Sequence, residues 1–397
     1  MMIVPRRTLL AGLATSMVSP VRAGVSDATS ESRLHAVLDH AGQDPGAGLA
    51  ALSRFDAEQL PASARLDLLT ARAGLAIDVE RARLGPSADP VAAYALRLRR
   101  TTGDRVDPAR LRARMERERT RVLARANFLF TRIGLPSGTT GERYSTLWRD
   151  SRRLYADDDG GRARAIDDMN RWLAAAFAWL AHWFGPLPPE VGAVRAMRMP
   201  AVEEAGGKQG YRIVPEPGRP GRYVVDLREI QRRPSWTLPA VVHHELLPGH
   251  MVQLPLEAHA RPHPLRLDYA QSFAEGWAIY AEGLAAAAGL YRGDPHGELG
   301  FCHWRLFRLC RAQADLALHL GGSSRATVLA DWRSVLGEPA YFAPFEADLD
   351  RIARDPAARA AEAAMWLAIE DRAGARPARS FHRSLLQHGR MRIDAFP

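Results

Sequence analysis

The segment from His243 to His250 carries three of the chain's thirteen histidines and one glutamate, Glu245. Neutral imidazole nitrogens are common zinc ligands, and a glutamate beside them can take a proton from a metal-activated water. These residue types at this density predict a hydrolytic metal site with Glu245 as general base. A histidine-rich helix end without a metal is the alternative that the segment leaves open.

The spacing of the histidines differs from the His-Glu-x-x-His pattern, in which ligands four positions apart share one helix face. His244 and His250 are six positions apart, about 600° around an ideal helix and so roughly 120° out of register. In a continuous helix, Pro248 would lack an amide hydrogen and clash with the carbonyl of His244. Gly249 can adopt backbone angles closed to other residues. We therefore predict that the helix breaks at Pro248 and Gly249 and that the chain turns His250 back toward the metal.

The helix that carries the first histidine ligand should begin near Pro239, since proline is tolerated in the first helical turn. This arrangement favours His244 as that ligand. His243 is an alternative ligand, because it lies seven positions before His250 and would share its face on an unbroken helix.

A third ligand is expected from residues 273–282. Glu275 and Glu282 lie seven positions apart on a helical stripe that also carries apolar residues. Two such carboxylates are costly to bury unless a cation or hydrogen bonds compensate. We predict that Glu275 binds the metal, leaving one coordination position for water, and that Glu282 orients an imidazole. Two solvated glutamates on an amphipathic helix are the alternative.

The two segments together, His-Glu-x-x-Pro-Gly-His and Glu-Gly-Trp-Ala-x-Tyr-x-Glu, resemble those of the bacterial family catalogued as domain of unknown function 885. Members of that family look like metallopeptidases related to mostly helical oligopeptidases with two histidine ligands and one glutamate ligand. The likeness covers residues 195–397. It includes Arg-Pro-Gly at 219–221, the stretch 311–319 and the closing segment 381–389.

The resemblance implies a mostly α fold with a helical zinc-oligopeptidase-like architecture, peptide substrates, and Glu245 as general base. The zinc ligands that it implies for a single Zn²⁺ ion are His244, His250 and Glu275. Residues expected to orient these ligands or to contact the substrate are Glu282, Tyr280, Arg311, Asp315 and Arg219.

A hydrogen-bond donor for the tetrahedral oxyanion is also required in such a hydrolysis. Residues 302–320 show a helical pattern with polar side chains on one face: Arg308, Arg311, Asp315 and His319. We expect His319 or Arg311 to be the donor, and count His319 with Glu245 as a catalytic residue. A solvated polar stripe is the alternative.

The chain departs from the family pattern at residues 351–358. Members usually carry Arg-Tyr-x-x-x-Pro-Gly-Gln followed by a further tyrosine, whereas this chain has Arg-Ile-Ala-Arg-Asp-Pro-Ala-Ala, with Glu362 near the place of the later tyrosine. Met251 replaces the usual second histidine after Pro-Gly-His. These changes motivate an alternative function, a metal-binding or scaffold protein with impaired catalysis. A hydrolase of non-peptide amides is a further alternative.

A small β-hairpin is predicted beside the metal helix, because residues 211–214 and 222–227 alternate around the turn residues 215–218. An exposed edge of this hairpin could pair with an extended peptide. It could equally be a structural ribbon.

The N-terminal residues 1–23 match an export signal. Arg6 and Arg7 precede a short apolar run, and residues 21–23 form a small-x-small cleavage pattern. Adjacent arginines resemble a twin-arginine signal, and a Sec signal is the alternative. No other apolar run reaches the roughly 18 residues needed to span a bilayer, so we expect a periplasmic or secreted protein without a membrane anchor after cleavage.

The composition is that of a globular enzyme: 397 residues that are 47% apolar can bury a large core. We expect a helical N-terminal half at 24–188, with helices at 63–80, 108–131 and 163–184, and a helical zinc-binding catalytic half at 189–397. The net charge is +9, but Lys208 is the only lysine among 54 basic residues and the arginines are spread along the chain. Nucleic-acid binding, which needs a clustered basic face, is therefore not expected.

Two cysteines, Cys302 and Cys310, lie eight positions apart in a helical pattern. That is about 12 Å along a helix axis, beyond the reach of a disulfide. We expect two buried thiols.

Overall fold

The computed structural model describes residues 23–85, 89–340, 342–374 and 378–397. These residues form a mostly helical fold with one small sheet, which confirms the predicted fold class. The helices are α1 (Ala23–Ala41), α2 (Pro45–Leu52), α3 (Ala62–Arg83), α4 (Pro90–Thr101), α5 (Pro108–Arg132), α6 (Thr140–Trp148), α7 (Asp159–Phe177), α8 (Leu180–Phe184), α9 (Ala201–Ala205), α10 (Leu238–Glu245), α11 (His250–Ala260), α12 (Pro264–Tyr269), α13 (Ser272–Ala287), α14 (Pro295–His319), α15 (Arg325–Leu336), α16 (Phe345–Arg354), α17 (Ala358–Ala373) and α18 (Arg379–Leu386). The strands are β1 (Val194–Arg198), β2 (Tyr211–Ile213) and β3 (Gly221–Val225).

Several helix starts are fixed by an Asp-Pro pair. In α2, α4, α5 and α14 the aspartate precedes the helix and its side chain accepts hydrogen bonds from backbone N–H groups of the first turn. The proline has no amide hydrogen to leave unsatisfied there. The predicted helices 63–80 and 108–131 lie within α3 and α5, whereas 163–184 is divided between α7 and α8.

The sheet contains the predicted hairpin and one further strand. β2 and β3 pair antiparallel, with Tyr211 opposite Val224. β1 pairs parallel with β3, with Val194 opposite Gly221. The strand order is β1-β3-β2, so that β2 is an edge strand. The short segment of β1 alternates too weakly to predict a strand, and it gains that conformation by pairing with β3.

Helix α13, which carries Glu275 and Glu282, lies in the middle of the core and packs against α17, α10 and α11. The largest apolar cluster includes Trp183 from α8, Trp277 from α13 and Trp366 from α17. Trp183 belongs to the predicted N-terminal half, and Trp277 and Trp366 belong to the predicted catalytic half. The two predicted halves therefore share one core.

Both cysteines are free and buried, as predicted. Burial raises the pKa of each thiol, Cys302 and Cys310, to about 12. They are accordingly inert thiols in the described structure.

Residues 1–22 of the predicted signal peptide lie outside the described residues. In the part of the chain that is described, no helix combines the length and the apolar character needed to cross a membrane.

Close packing of α13 on α17 at Gly276 gives a first prediction. A Cβ atom added there would lie 2.5 Å from Met365 Cγ and 2.9 Å from the backbone nitrogen of Trp366. We expect Gly276→Ala to lower the free energy of unfolding by about 1–3 kcal/mol, because two packed helices must separate. Urea denaturation followed by circular dichroism measures this. Gly206→Ala is the control, since its Cβ would meet nothing closer than 3.5 Å, and an equal loss in both variants would contradict the prediction.

Candidate metal centre

The first element of the site is the broken helix predicted from the sequence. Pro239 lies in the first turn of α10, which ends at Glu245. Leu246 then leaves the helical conformation with φ −114° and ψ −106°. After a cis peptide bond between Leu247 and Pro248, α11 begins at His250. The predicted Pro-Gly break is confirmed.

Gly249 is required by a close approach of two backbone segments. A Cβ atom at this position would lie 1.9 Å from the carbonyl oxygen of His244, a distance that no side chain tolerates. The indole nitrogen of Trp277 donates hydrogen bonds to the carbonyl oxygens of Pro248 and Gly249, each at 3.2 Å. The tryptophan of the Glu-Gly-Trp segment thus holds the turn of the histidine segment in place.

His244, His250 and Glu275 converge on one point. His244 Nε2 lies 3.4 Å from Glu275 Oε2, and His250 Nε2 lies 3.3 Å from Glu275 Oε1. One ligand atom from each of the three residues lies within 4.8 Å of the others. We call these three residues the ligand cluster. Among the described residues, this cluster has the donors and the spacing to hold a metal ion.

The environment of His250 supports metal binding. The side chain is 2% exposed. Its Nδ1 atom has no hydrogen-bond partner among the described residues, and its Nε2 atom lies 3.3 Å from Glu275 Oε1. Burial of these polar groups is costly, and a cation bound between Nε2 and Glu275 would offset part of that cost. Burial lowers the pKa of His250 despite the nearby Glu275, which favours the neutral form that binds metals.

The pKa of His244 is shifted the other way, because two carboxylates lie near it. Burial and the neighbouring Arg308 lower the pKa of His244, but hydrogen bonds to Glu275 and Glu282 outweigh them and raise it to about 9. Burial would raise the pKa of Glu275, yet its bonds to His244 and His250 hold it well below the usual range. Glu275 is therefore held in its ionised form, the form in which a carboxylate binds a cation.

Glu282 contacts His244 as predicted. Its Oε1 atom accepts a hydrogen bond from His244 Nδ1 at 2.7 Å. This contact directs the Nε2 lone pair of His244 toward Glu275 and His250.

His243, the alternative ligand, faces the other way. Its Nδ1 atom lies 2.9 Å from the hydroxyl of Tyr291, and burial lowers its pKa to about 3. The break at residues 246–249 explains why His244, and not His243, lies in the ligand cluster. His243 and His250 do not share one continuous helix.

Glu245 is tied to the sheet. Its Oε2 atom accepts a hydrogen bond from Arg212 on β2. The side chain of Glu245 is 20% exposed, more than that of either histidine ligand. The predicted general base thus stands at the surface of a cleft beside the ligand cluster.

Two clefts border the ligand cluster. The first cleft, of about 220 Å³, is lined among others by His244, Glu245, Arg308, Trp148, Trp304 and Phe342. The second cleft, of about 420 Å³, is lined among others by Glu275, Glu362, Arg81, Arg97, Arg100 and Arg359. The first cleft combines aromatic side chains with arginines. The second combines four arginines with the carboxylates of Glu275, Asp355 and Glu362.

The bacterial protein family of unknown function DUF885 matches residues 6–395 of this chain. This chain belongs to the DUF885 family. The match extends well before residues 195–397, over which the motifs are recognisable.

Solved structures show the same fold. The structure of a candidate lipoprotein from Colwellia psychrerythraea matches with a TM-score of 0.67 and 22% identity, over 94% of this chain and 73% of that one. A candidate lipoprotein of unknown function from Shewanella oneidensis matches with a TM-score of 0.60 and 16% identity, over 91% of this chain and 72% of that one. No curated protein sequence matches the chain.

A positively charged side chain, that of Arg308, lies beside the ligand cluster in this DUF885 member. Its Nη2 atom lies 3.4 Å from His244 Nδ1 and 3.8 Å from Glu282 Oε1. The predicted donors lie further along α14. His319 follows Arg308 by eleven positions, about 16 Å along the axis, and its Nε2 atom lies 3.1 Å from the carbonyl oxygen of Ile352.

Arg311 and Asp315 hold neighbouring helices. Arg311 pairs with buried Asp348 of α16 at 2.9 Å. Asp315 accepts hydrogen bonds from the backbone nitrogens of Ala357, Arg359 and Ala360 at the start of α17. Both residues therefore position the segment 351–358, in which the sequence departs from the family pattern.

Tyr280 and Arg219 are placed away from the ligand cluster. The Tyr280 hydroxyl lies 2.7 Å from His382 Nε2 on α18, which fixes the closing segment against α13. Arg219 pairs with Glu216 in the exposed hairpin turn.

Sequence reasoning missed two contacts of the site, Arg212 with Glu245 and Trp277 with the Pro-Gly turn. Both join segments that are far apart in sequence. The only available signal was that Arg212 lies in the hairpin directly before the metal helix.

The orientation of the two adjacent histidines gives the second prediction. We expect His244→Ala to abolish binding of zinc to metal-free protein, because one of three ligands is lost. His243→Ala should keep binding within about tenfold of the unaltered protein, since this residue lies outside the cluster. Isothermal titration calorimetry with zinc chloride measures both affinities. Loss of binding in His243→Ala with retention in His244→Ala would reverse the assignment.

Proposed function

We propose that this protein is an exported zinc-dependent peptidase. The observation that carries the proposal is the convergence of two buried histidines on one carboxylate: Glu275 lies 3.4 Å from His244 Nε2 and 3.3 Å from His250 Nε2. Such an arrangement is expensive without a cation.

Zinc is the metal that fits these donors best. Two imidazole nitrogens and one carboxylate oxygen form the usual ligand set of hydrolytic zinc sites, which leave a fourth position open. A set of hard oxygen donors, as preferred by calcium or magnesium, is absent from this cluster of described residues.

A bound zinc ion would supply an acidified water and a polarised substrate carbonyl. Glu245, which lines the same cleft as His244, would be the base for the proton of such a water and the acid for the leaving amine. Arg212 holds the carboxylate of Glu245 through Oε2. Glu282 keeps His244 in the tautomer that binds metal, through the hydrogen bond of 2.7 Å.

Arg308 is the donor that we propose for the oxyanion. It lines the first cleft together with His244 and Glu245, and it carries a permanent charge. It takes the role expected of His319 or Arg311, both of which are occupied elsewhere. It also supplies a donor to a site whose altered segment 351–358 has none of the usual tyrosine and glutamine side chains.

A peptide substrate is favoured by the exposed edge of β2. This strand carries Arg212 and lies at the edge of the sheet, so that a peptide bound along it passes beside Glu245. Export is favoured by the twin arginines and apolar run of residues 1–23, and by the description of two similar structures as candidate lipoproteins.

The third prediction concerns the general base. We expect Glu245→Gln to lower peptide turnover at least a hundredfold, because an amide cannot accept the proton, while zinc content stays unchanged. Turnover of a peptide library and metal analysis on the same preparations measure both. Turnover in neither protein, with zinc present in both, would favour a metal-binding protein without catalysis.

The fourth prediction concerns Arg308. We expect Arg308→Gln to lower kcat by about 10²-fold with little change in KM, since the lost donor acts on charge that develops in the transition state. Arg308→Lys, which keeps the charge, should recover part of the rate. An unchanged kcat in Arg308→Gln would remove this residue from the mechanism, and His319→Gln, which should leave kcat within about threefold, is the control.

A further inference from the structure

The second cleft meets the ligand cluster at its most accessible member. The Glu275 side chain is 36% exposed, against 6% for His244 and 2% for His250. Glu275 is also the only cluster residue that lines the second cleft. A group bound in this cleft would therefore lie next to any metal held by Glu275.

Four arginines from three helices line the second cleft. Arg81 lies on α3, Arg97 and Arg100 on α4, and Arg359 at the start of α17. The cleft volume of about 420 Å³ is within the range of small-ligand sites. Side chains from three separate helices thus converge on one opening.

Some of these guanidinium groups are already paired. Arg81 and Arg100 share Asp78, at 3.0 and 2.9 Å, and Arg359 bonds to Glu362. Arg97 is exposed, and no described carboxylate pairs with it. These ion pairs hold three of the arginines in fixed positions. The guanidinium group of Arg97 remains available to bind an anion.

The start of α17 cannot itself bind that anion. Its backbone nitrogens at Ala357, Arg359 and Ala360 already donate to Asp315. An anion in the cleft would thus be bound by guanidinium side chains. Guanidinium groups bind carboxylates with two parallel hydrogen bonds, which gives direction as well as affinity.

We infer that the second cleft is a carboxylate-binding subsite, in which Arg97 and Arg359 hold a carboxylate of the substrate beside Glu275. This inference rests on the proposed peptidase function and narrows its substrates. The carboxylate belongs either to the free C-terminus of a peptide or to an aspartate or glutamate side chain. In both cases the bond cleaved lies close to a residue with a negative charge.

The test uses zinc-loaded Glu245→Gln protein, in which bound peptides persist, and isothermal titration calorimetry. The probes are Ala-Ala-Ala with a free carboxylate or a C-terminal amide, and Ala-Glu-Ala-amide against Ala-Gln-Ala-amide. We expect at least one carboxylate probe to bind about tenfold or more tightly than its neutral partner. The probe pair that discriminates identifies the source of the carboxylate.

Variants locate the effect in the second cleft. Arg97→Gln and Arg359→Gln, each added to Glu245→Gln, should remove most of the discrimination. Arg110→Gln removes the same charge from an exposed position of α5 outside the cleft and should leave it unchanged. Equal binding of charged and neutral probes, or discrimination that survives both cleft variants, would overturn the inference.

The peptidase proposal is judged separately. Peptide turnover by the unaltered protein, without discrimination between charged and neutral probes, would contradict only the carboxylate-binding subsite. Discrimination between charged and neutral probes without any turnover would contradict only the peptidase function. A carboxylate-binding site beside a metal would then remain.

Discussion

The site depends on a single turn, residues 246–249, which must bring His250 back toward the helix that carries His244. The turn is possible because Gly249 has no side chain where the carbonyl of His244 approaches. It is held by Trp277, which donates to the carbonyl oxygens of Pro248 and Gly249. Since Trp277 is two residues after Glu275, the contact that fixes the turn also fixes the third ligand. The two motifs form one structural unit.

Burial of charge is the second constraint on this fold. Arg305 pairs with Glu118 inside the protein, and Arg311 pairs with Asp348. Removing either partner of such a pair would leave a buried charge, which costs several kcal/mol. Two other buried arginines also pair with carboxylates: Arg266 with Asp67, and Arg392 with Asp104 and Asp394. Part of the arginine content of a chain with a net charge of +9 is thus used inside the fold.

Helix α14 connects the ligand cluster to the segment in which the chain departs from its family. Arg308 contacts His244 near the middle of the helix, and Asp315 holds the start of α17 two turns later. The altered residues Ala357 and Ala358 line the second cleft beside Glu275. Changes in this segment thus alter the surroundings of the ligand cluster, while the three residues of the cluster are preserved.

The sequence by itself determined the parts of the site that depend on local geometry. The positions of Pro239, Pro248 and Gly249 dictate where a helix begins and breaks, and the spacing of Glu275 and Glu282 places both on one helix face. The hairpin followed from alternation around a turn. In each case the physical rule acts over fewer than twenty residues.

Only the tertiary structure decided which side chains outside the motifs meet the cluster. The four polar residues of α14 share one face, but the packing of that helix brings Arg308 to His244 and leaves His319 at Ile352. The orientation of His243 toward Tyr291 and the pairing of Arg212 with Glu245 likewise join distant segments. Periodicity tells which residues share a face, whereas the position along the axis at which a neighbour crosses is set by the packing of the whole core.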